Sequence, residues 1–134
     1  MYKIMALDIG TKRIGVALSD YLRIVASPSE CVPRHPEQNA INRIKQIAQE
    51  NRVQKIVVGV PINMDGTKGF QAEDCTNFAK NFSEFDIIFE DERLTSDLAE
   101  ERLRERKVDF RKNKGLVDIE SACIILEQYL SRIN

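Results

Sequence analysis

Residues 3–20 read KIMALDIGTKRIGVALSD, and this stretch decides how the chain begins to fold. Its apolar residues predict a first strand over 3–9 and a returning strand over 14–18, joined by a short turn that begins at Gly10. The first strand contains one acid, Asp8. A carboxylate in an apolar strand is costly to bury unless it is paired or bound to a cation. What Asp8 faces is therefore the main question that the sequence raises.

The rest of the chain predicts a single α/β domain over residues 1–134. A hairpin followed by alternating strands and helices implies antiparallel strands first and parallel strands later, so we expect a mixed five-stranded sheet flanked by helices. Three prolines, Pro28, Pro33 and Pro36, favour a loop after a short third strand. The further strands are predicted over residues 24–26, 55–60 and 86–92, and the helices over residues 37–51, 68–82, 95–106 and 116–130.

Composition excludes several classes of protein. Hydrophobic residues make up 43% and charged residues 31% of the chain, and no apolar run approaches the roughly 18 residues of a membrane helix. The first residues do not resemble a signal peptide, so we expect a cytoplasmic protein. Three separate cysteines suit a reducing compartment better than a disulfide framework. A net charge of −1 argues against a protein that coats DNA generically.

Acids occur at three positions where packing alone would not favour them. Asp8 lies within a strand, Glu92 follows Asp91 at the end of a predicted parallel strand, and Asp118 lies near the start of the last helix. Ligands of open sheets bind at the carboxyl ends of parallel strands, although an acid at a helix start also suits the helix dipole. Clustered carboxylates repel each other, and a divalent cation removes that repulsion. The pattern predicts a metal-dependent nuclease site if the fold brings these acids together.

Four segments in order along the chain carry a resemblance to a known family. They are LDIGTKRIGVALSD (7–20), VVGVPINMDGT (57–67), DERLTS (91–96) and NKGLVDIESACIILEQYL (113–130). Together they resemble the YqgF family of bacterial proteins, also described as pre-16S rRNA nucleases or Holliday-junction-resolvase-like proteins. The resemblance covers nearly the whole chain.

The resemblance implies a ribonuclease H-like fold close to that of the RuvC resolvases. It also implies a nuclease that processes the 5′ end of pre-16S ribosomal RNA with a divalent cation, Mg²⁺ or Mn²⁺. The family's acidic residues fall on Asp8, Glu92 and Asp118, as catalytic residues and metal ligands.

One position departs from the RuvC resolvases. These carry a further acid one helical turn after the acid of the last helix, and Ser121 occupies that position here. The metal site would then depend on three carboxylates, with Glu120 or Asp91 as helpers. This departure weakens the resolvase interpretation more than the nuclease interpretation.

Basic residues near these acids are candidates for binding nucleic acid. Residues 101–114 carry a net excess of four positive charges and lead directly to the last acid. Phosphate backbones are bound by such charges, although a solvated helix face would also carry them. The predicted phosphate contacts are Lys12, Arg93, Lys112 and Lys114. Residues of the loop after the predicted strand 55–60 could also contact substrate, or one of them could cap the next helix; they are Asn63, Asp65 and Thr67.

Three other functions stay open from the sequence. A DNA junction resolvase needs two symmetric active sites and therefore a homodimer, whereas a nuclease of structured RNA acts as a monomer or a homodimer. A non-catalytic RNA-binding factor in transcription or ribosome assembly would not need the acids. An actin-like or sugar-kinase-like ATPase also has a D-x-G-T hairpin, but it closes two domains around its nucleotide.

Overall fold

A computed structural model describes residues 1–61, 69–92 and 95–134. Its strands are β1 (Lys3–Ile9), β2 (Arg13–Ser19), β3 (Ala26–Pro33), β4 (Val53–Val60) and β5 (Asp86–Asp91). Its α-helices are α1 (Glu37–Glu50), α2 (Phe70–Ala79), α3 (Thr95–Glu105) and α4 (Gly115–Ile133), and a short 3-10 turn follows α2 at Lys80–Phe82.

The strands form one sheet in the order β3-β2-β1-β4-β5. β1 is antiparallel to β2 and parallel to β4, and β4 is parallel to β5. The predicted mixed five-stranded sheet flanked by helices is therefore confirmed. Among the described residues, no helix is both long enough and apolar enough to cross a membrane.

The prediction for the third strand is wrong in its position. β3 covers Ala26–Pro33 rather than 24–26, so it includes Pro28 and Pro33, which the sequence assigned to a loop. β3 lies at one edge of the sheet. An edge strand tolerates proline because one side of its backbone needs no ladder hydrogen bond.

Each face of the sheet carries its own apolar core. On one face, α1 and α2 pack over residues such as Leu7, Val16 and Ile56. On the other face, α4 packs over Ala6 and Val57, among others. β1 lies in the middle, and all residues from Ile4 to Leu7 are fully buried. Asp8 is the next residue, and the burial around it follows from the position of β1 between two helical layers.

A buried arginine holds the turn between β1 and β2 in place. Arg34 donates a 2.8 Å hydrogen bond to the Gly10 carbonyl and two hydrogen bonds of 2.9 and 3.0 Å to the Asp74 carboxylate on α2. Its backbone N–H donates to the Lys12 carbonyl at 2.9 Å. Paired guanidinium–carboxylate bonds of this kind have a defined geometry. The turn that follows Asp8 is therefore attached firmly to α2.

Candidate active site at the carboxyl edge of the sheet

Asp8 lies on β1 between glycines of the two neighbouring strands. It pairs with Gly15 of β2. The β1–β4 register pairs Leu7 with Val58 and so places Gly59 on its other side. Neighbouring residues in register point to the same face of a sheet, and this face is the one that α4 covers. Since glycine has no Cβ, there is room on both sides of Asp8 for other segments to approach it.

Gly15 is where α4 comes closest to the sheet. A Cβ added to Gly15 would lie 2.0 Å from the backbone oxygen of Asp118, which is far inside van der Waals contact. Only glycine allows the first turn of α4 to rest directly on β2 at this point. The close approach brings Asp118 towards Asp8, its neighbour across the β1–β2 pair.

Gly59 makes room for the second acid. A Cβ at this position would lie 2.7 Å from Oε2 of Glu92 and 2.5 Å from Cδ1 of Ile125 on α4. The Glu92 backbone N–H donates to the Val60 carbonyl at 3.2 Å, so the chain stays close to β4 just after β5 ends. The carboxyl group of Glu92 therefore occupies the space above Gly59 and reaches the side chain of Asp8.

Asp8 and Glu92 share a side-chain hydrogen bond, and the pKa of each carboxyl group is raised above its ordinary value. Burial raises the pKa of Asp8 to about 6, with a further contribution from the negative charge of Asp118, while the bond with Glu92 acts in the opposite direction. The pKa of Glu92 is raised to about 9, chiefly by burial and also by the charge of Asp8, their hydrogen bond and the charge of Asp91.

A hydrogen bond between two carboxyl groups requires a proton on one of them. The raised pKa values describe a pair that retains one proton near neutral pH. A divalent cation is the other agent that neutralises two adjoining carboxylates. The donor set of oxygens fits a hard cation such as Mg²⁺ or Mn²⁺ and does not suit a soft metal.

Asp118 has a different partner. Its Oδ2 accepts a 2.8 Å hydrogen bond from Nε of Arg13, the first residue of β2. Within residues 1–61, 69–92 and 95–134, no three histidine, cysteine or carboxylate side chains are arranged so that they could hold an ion. The structure thus brings Asp8 and Glu92 into contact and places Asp118 close enough to repel Asp8, but Asp118 is turned to Arg13.

The proposed helper residues lie in other surroundings. Glu120 is buried and forms an ion pair with Arg106 at 3.1 Å, which joins α4 to the end of α3. Asp91 is exposed and acts on Glu92 through its charge. Ser121 is 1% exposed, and its hydroxyl has no hydrogen-bond partner among the described residues.

A basic groove of about 450 Å³ borders Asp118. Lys114, which precedes α4, lies in its wall. Its contact with phosphate stays a prediction. Lys112 and Lys12 are exposed but are not part of the wall. The residues that form the wall are Arg13, Glu100, Phe110, Arg111, Lys114, Val117 and Asp118.

Four of the predicted substrate contacts lie outside the described residues: Asn63, Asp65, Thr67 and Arg93. Their proposed roles stay predictions.

Sequence reasoning missed three residues that shape this site. Gly59 had a usable signal, because a glycine inside an apolar strand often marks a close approach of another segment. Gly15 lies within the predicted returning strand, and no local pattern shows that its role is to admit α4. Nothing local connects Arg13 with Asp118, which is 105 residues away.

The strand order β3-β2-β1-β4-β5 is that of a ribonuclease H-like fold. Solved structures support the fold: the Thermus thermophilus RuvC in complex with a Holliday junction aligns with a TM-score of 0.58 and 12% identity, over 99% of this chain and 96% of that one. The fowlpox virus Holliday junction resolvase aligns with a TM-score of 0.59 and 14% identity, over 98% and 99% of the two chains.

Sequence similarity gives the family. Residues 2–132 match the model of the RuvX family, described as Holliday junction resolvase, and the chain belongs to this family. A relative from Crocosphaera subtropica is 42% identical over 96% of this chain and 92% of its own length. A relative from Bacillus cereus is 38% identical over 97% of this chain and 98% of its own length. Both carry the name "Putative pre-16S rRNA nuclease".

Proposed function

We propose that the single domain over residues 1–134 is a metal-dependent nuclease that hydrolyses phosphodiester bonds of RNA. Its substrate is the 5′ region of pre-16S rRNA, which places it in ribosome biogenesis in the cytoplasm. The names of the two relatives, at 42% and 38% identity over nearly the whole chain, support this substrate. Asp8, Glu92 and Asp118 are the proposed catalytic residues and metal ligands.

One observation carries the proposal: the half-buried carboxyl groups of Asp8 and Glu92 are hydrogen-bonded to each other at the carboxyl edge of the sheet. Forcing Asp8 and Glu92 together costs stability, because burial opposes the ionised form of each. Such a cost is typical of a functional site and has no role in packing. Mg²⁺ or Mn²⁺ in place of the proton would be held by Asp8 and Glu92, with Asp118 as the third ligand.

When bound, the cation supplies Lewis acidity towards a phosphate oxygen and makes an attacking water more acidic. The chain's own residues hold the cation and bind the nucleic acid. Asp8 and Glu92 would hold the cation at the carboxyl edge of the sheet. Lys114 lies in the wall of the adjoining groove, where its ammonium group attracts the phosphate backbone. Lys12 extends from the turn that Arg34 anchors and can contact the same strand of nucleic acid.

A second candidate function is cleavage of branched DNA. The description of the family model and the junction-bound relatives in fold favour it. Cutting a junction symmetrically needs two active sites in one particle, so this function requires a stable homodimer, whereas RNA processing does not.

The test compares two substrates under the same conditions. The wild type and Asp8→Asn are incubated with a pre-16S 5′-leader RNA or a four-way DNA junction, with Mg²⁺ or Mn²⁺. We expect the wild type to cleave the RNA and Asp8→Asn to lose activity by orders of magnitude. Asp86→Asn is the matched control, because Asp86 is exposed at the opposite end of β5.

Three outcomes would contradict the proposal. Equal activity of the wild type and Asp8→Asn would show that Asp8 is not catalytic. Cleavage of the junction alone, by a dimer, would favour the resolvase function. RNA binding without cleavage under any cation would favour a non-catalytic factor.

A further inference from the structure

Arg13 forms an ion pair with Asp118, the third carboxylate of the proposed metal site. Its Nε lies 2.8 Å from Oδ2 of Asp118, and the two side chains are 37% and 22% exposed. Among the described residues, Asp118 is the one hydrogen-bond partner of the Arg13 side chain. Within the part of the chain that the structure describes, Arg13 thus has no second anchor that would hold its side chain in place if Asp118 bound something else.

The surroundings of Asp118 explain why the Arg13 guanidinium lies beside it. Asp8 pairs with Gly15 across the β1–β2 pair, and the backbone of Asp118 rests on Gly15, so an unneutralised Asp118 carboxylate would add to the repulsion in the site. Gly15 brings the backbone of α4 against β2, so Asp118 cannot move away with its helix. A guanidinium from the first residue of β2 neutralises it in place.

The geometry points to Arg13 as a placeholder for the cation: it pairs with Asp118 while the site holds no cation, and it releases Asp118 when the ion binds. This inference rests on the proposed function. An ion pair between partly exposed groups is weak, whereas a dication held by several carboxylates is bound more strongly. The released guanidinium stays in the wall of the groove, where the nucleic acid is expected. Arg13 is therefore a positioning residue that competes with the cation for one ligand.

The experiment measures Mn²⁺ affinity by isothermal titration calorimetry, without substrate. Arg13→Gln is expected to bind Mn²⁺ roughly two- to fivefold more tightly than the wild type, since exposed ion pairs compete only modestly. Arg13→Lys keeps a cation that can pair with Asp118 and should stay near the wild type. Arg111→Gln is the matched control, because Arg111 lines the same groove but pairs with Asp109.

Each outcome has a distinct meaning. Unchanged or weaker Mn²⁺ binding by Arg13→Gln would overturn the inference. Equal tightening by Arg111→Gln would also overturn it, because the effect would then reflect the charge of the groove. If Asp8→Asn does not weaken Mn²⁺ binding, the proposed function fails together with this inference. If Asp8→Asn weakens binding while Arg13→Gln has no effect, only this inference fails.

A second measurement follows Arg13 in the wild-type protein and needs only the conservative Arg13→Lys variant for assignment. The Nε–H resonance of Arg13 is assigned by its absence from the spectrum of Arg13→Lys, and it is followed by NMR during titration with Mg²⁺. Loss of the hydrogen bond to Asp118 should move this resonance as the ion binds. A resonance that stays in place while Mg²⁺ saturates the site would overturn the inference.

Discussion

The shared proton of Asp8 and Glu92 should make the stability of the protein in EDTA decrease as the pH rises. In the folded state Glu92 keeps its proton up to about pH 9, because burial and the charge of Asp8 raise its pKa, whereas its ordinary pKa is 4.5. Between these values the folded chain binds one proton more than the unfolded chain. This contribution to stability is therefore fully present below about pH 4.5 and is lost progressively as the pH rises to 9.

The size of the effect follows from the number of protons. One extra proton in the folded state corresponds to a slope of up to about 1.4 kcal/mol in the free energy of unfolding per pH unit. Between about pH 4 and 6 the slope should be steeper, because the pKa of Asp8 is also raised, from 3.8 to about 6. Partial access of solvent at this edge of the sheet reduces both of these slopes of the free energy of unfolding against pH.

The perturbation is Glu92→Gln, which keeps the shape of the side chain and removes its titration. The assay is urea denaturation followed by far-UV circular dichroism at pH 6, 7, 8 and 9, with EDTA and a reductant for the three cysteines. The wild type should lose stability across this range, and Glu92→Gln should lose much less. Glu105→Gln, at an exposed position of α3, controls for the loss of one acid and should follow the wild type.

Addition of Mg²⁺ provides a further check on the same reasoning. If the cation replaces the proton, it should flatten the slope of the wild type and stabilise it most at high pH. Equal slopes for the wild type and Glu92→Gln in EDTA would refute the shared proton.

Four further predictions concern the site and the residues around it. Gly59→Ala should lower Mn²⁺ affinity at least tenfold, measured by calorimetry, because its Cβ would lie 2.7 Å from the carboxylate above it. Ser121→Ala should keep or raise stability, by up to about 1 kcal/mol, since its buried hydroxyl has no hydrogen-bond partner among the described residues. By contrast, Ser19→Ala should cost about 1–2 kcal/mol in urea denaturation, because Ser19 accepts a buried 2.8 Å hydrogen bond from the backbone. Replacing Lys112 and Lys114 together by alanine should weaken RNA binding and reduce its salt slope by about 1.4 units or less, measured by fluorescence anisotropy, and an unchanged slope would mean that both lysines are merely solvated.

Local patterns in the sequence were sufficient to predict most of the strands and helices. The hairpin around Gly10, the buried strand that ends at Val60 and the amphipathic helix after Pro36 follow from apolar periodicity and turn residues, which report burial within a few residues of chain. The same patterns made Asp8 conspicuous, because a charge in an apolar strand needs an explanation. The third strand was misplaced, since prolines are read as loop residues unless the edge position of the strand is known.

Only the tertiary structure decided how the site is assembled. The hydrogen bond between Asp8 and Glu92, and the ion pair between Arg13 and Asp118, join residues that are far apart in sequence. These contacts depend on strand register and on the height of α4 above the sheet, and no local pattern encodes either. The absence of a Cβ at Gly59 has meaning only when the segment that fills the space is known. Periodicity shows which residues are buried, but packing determines which neighbours they meet.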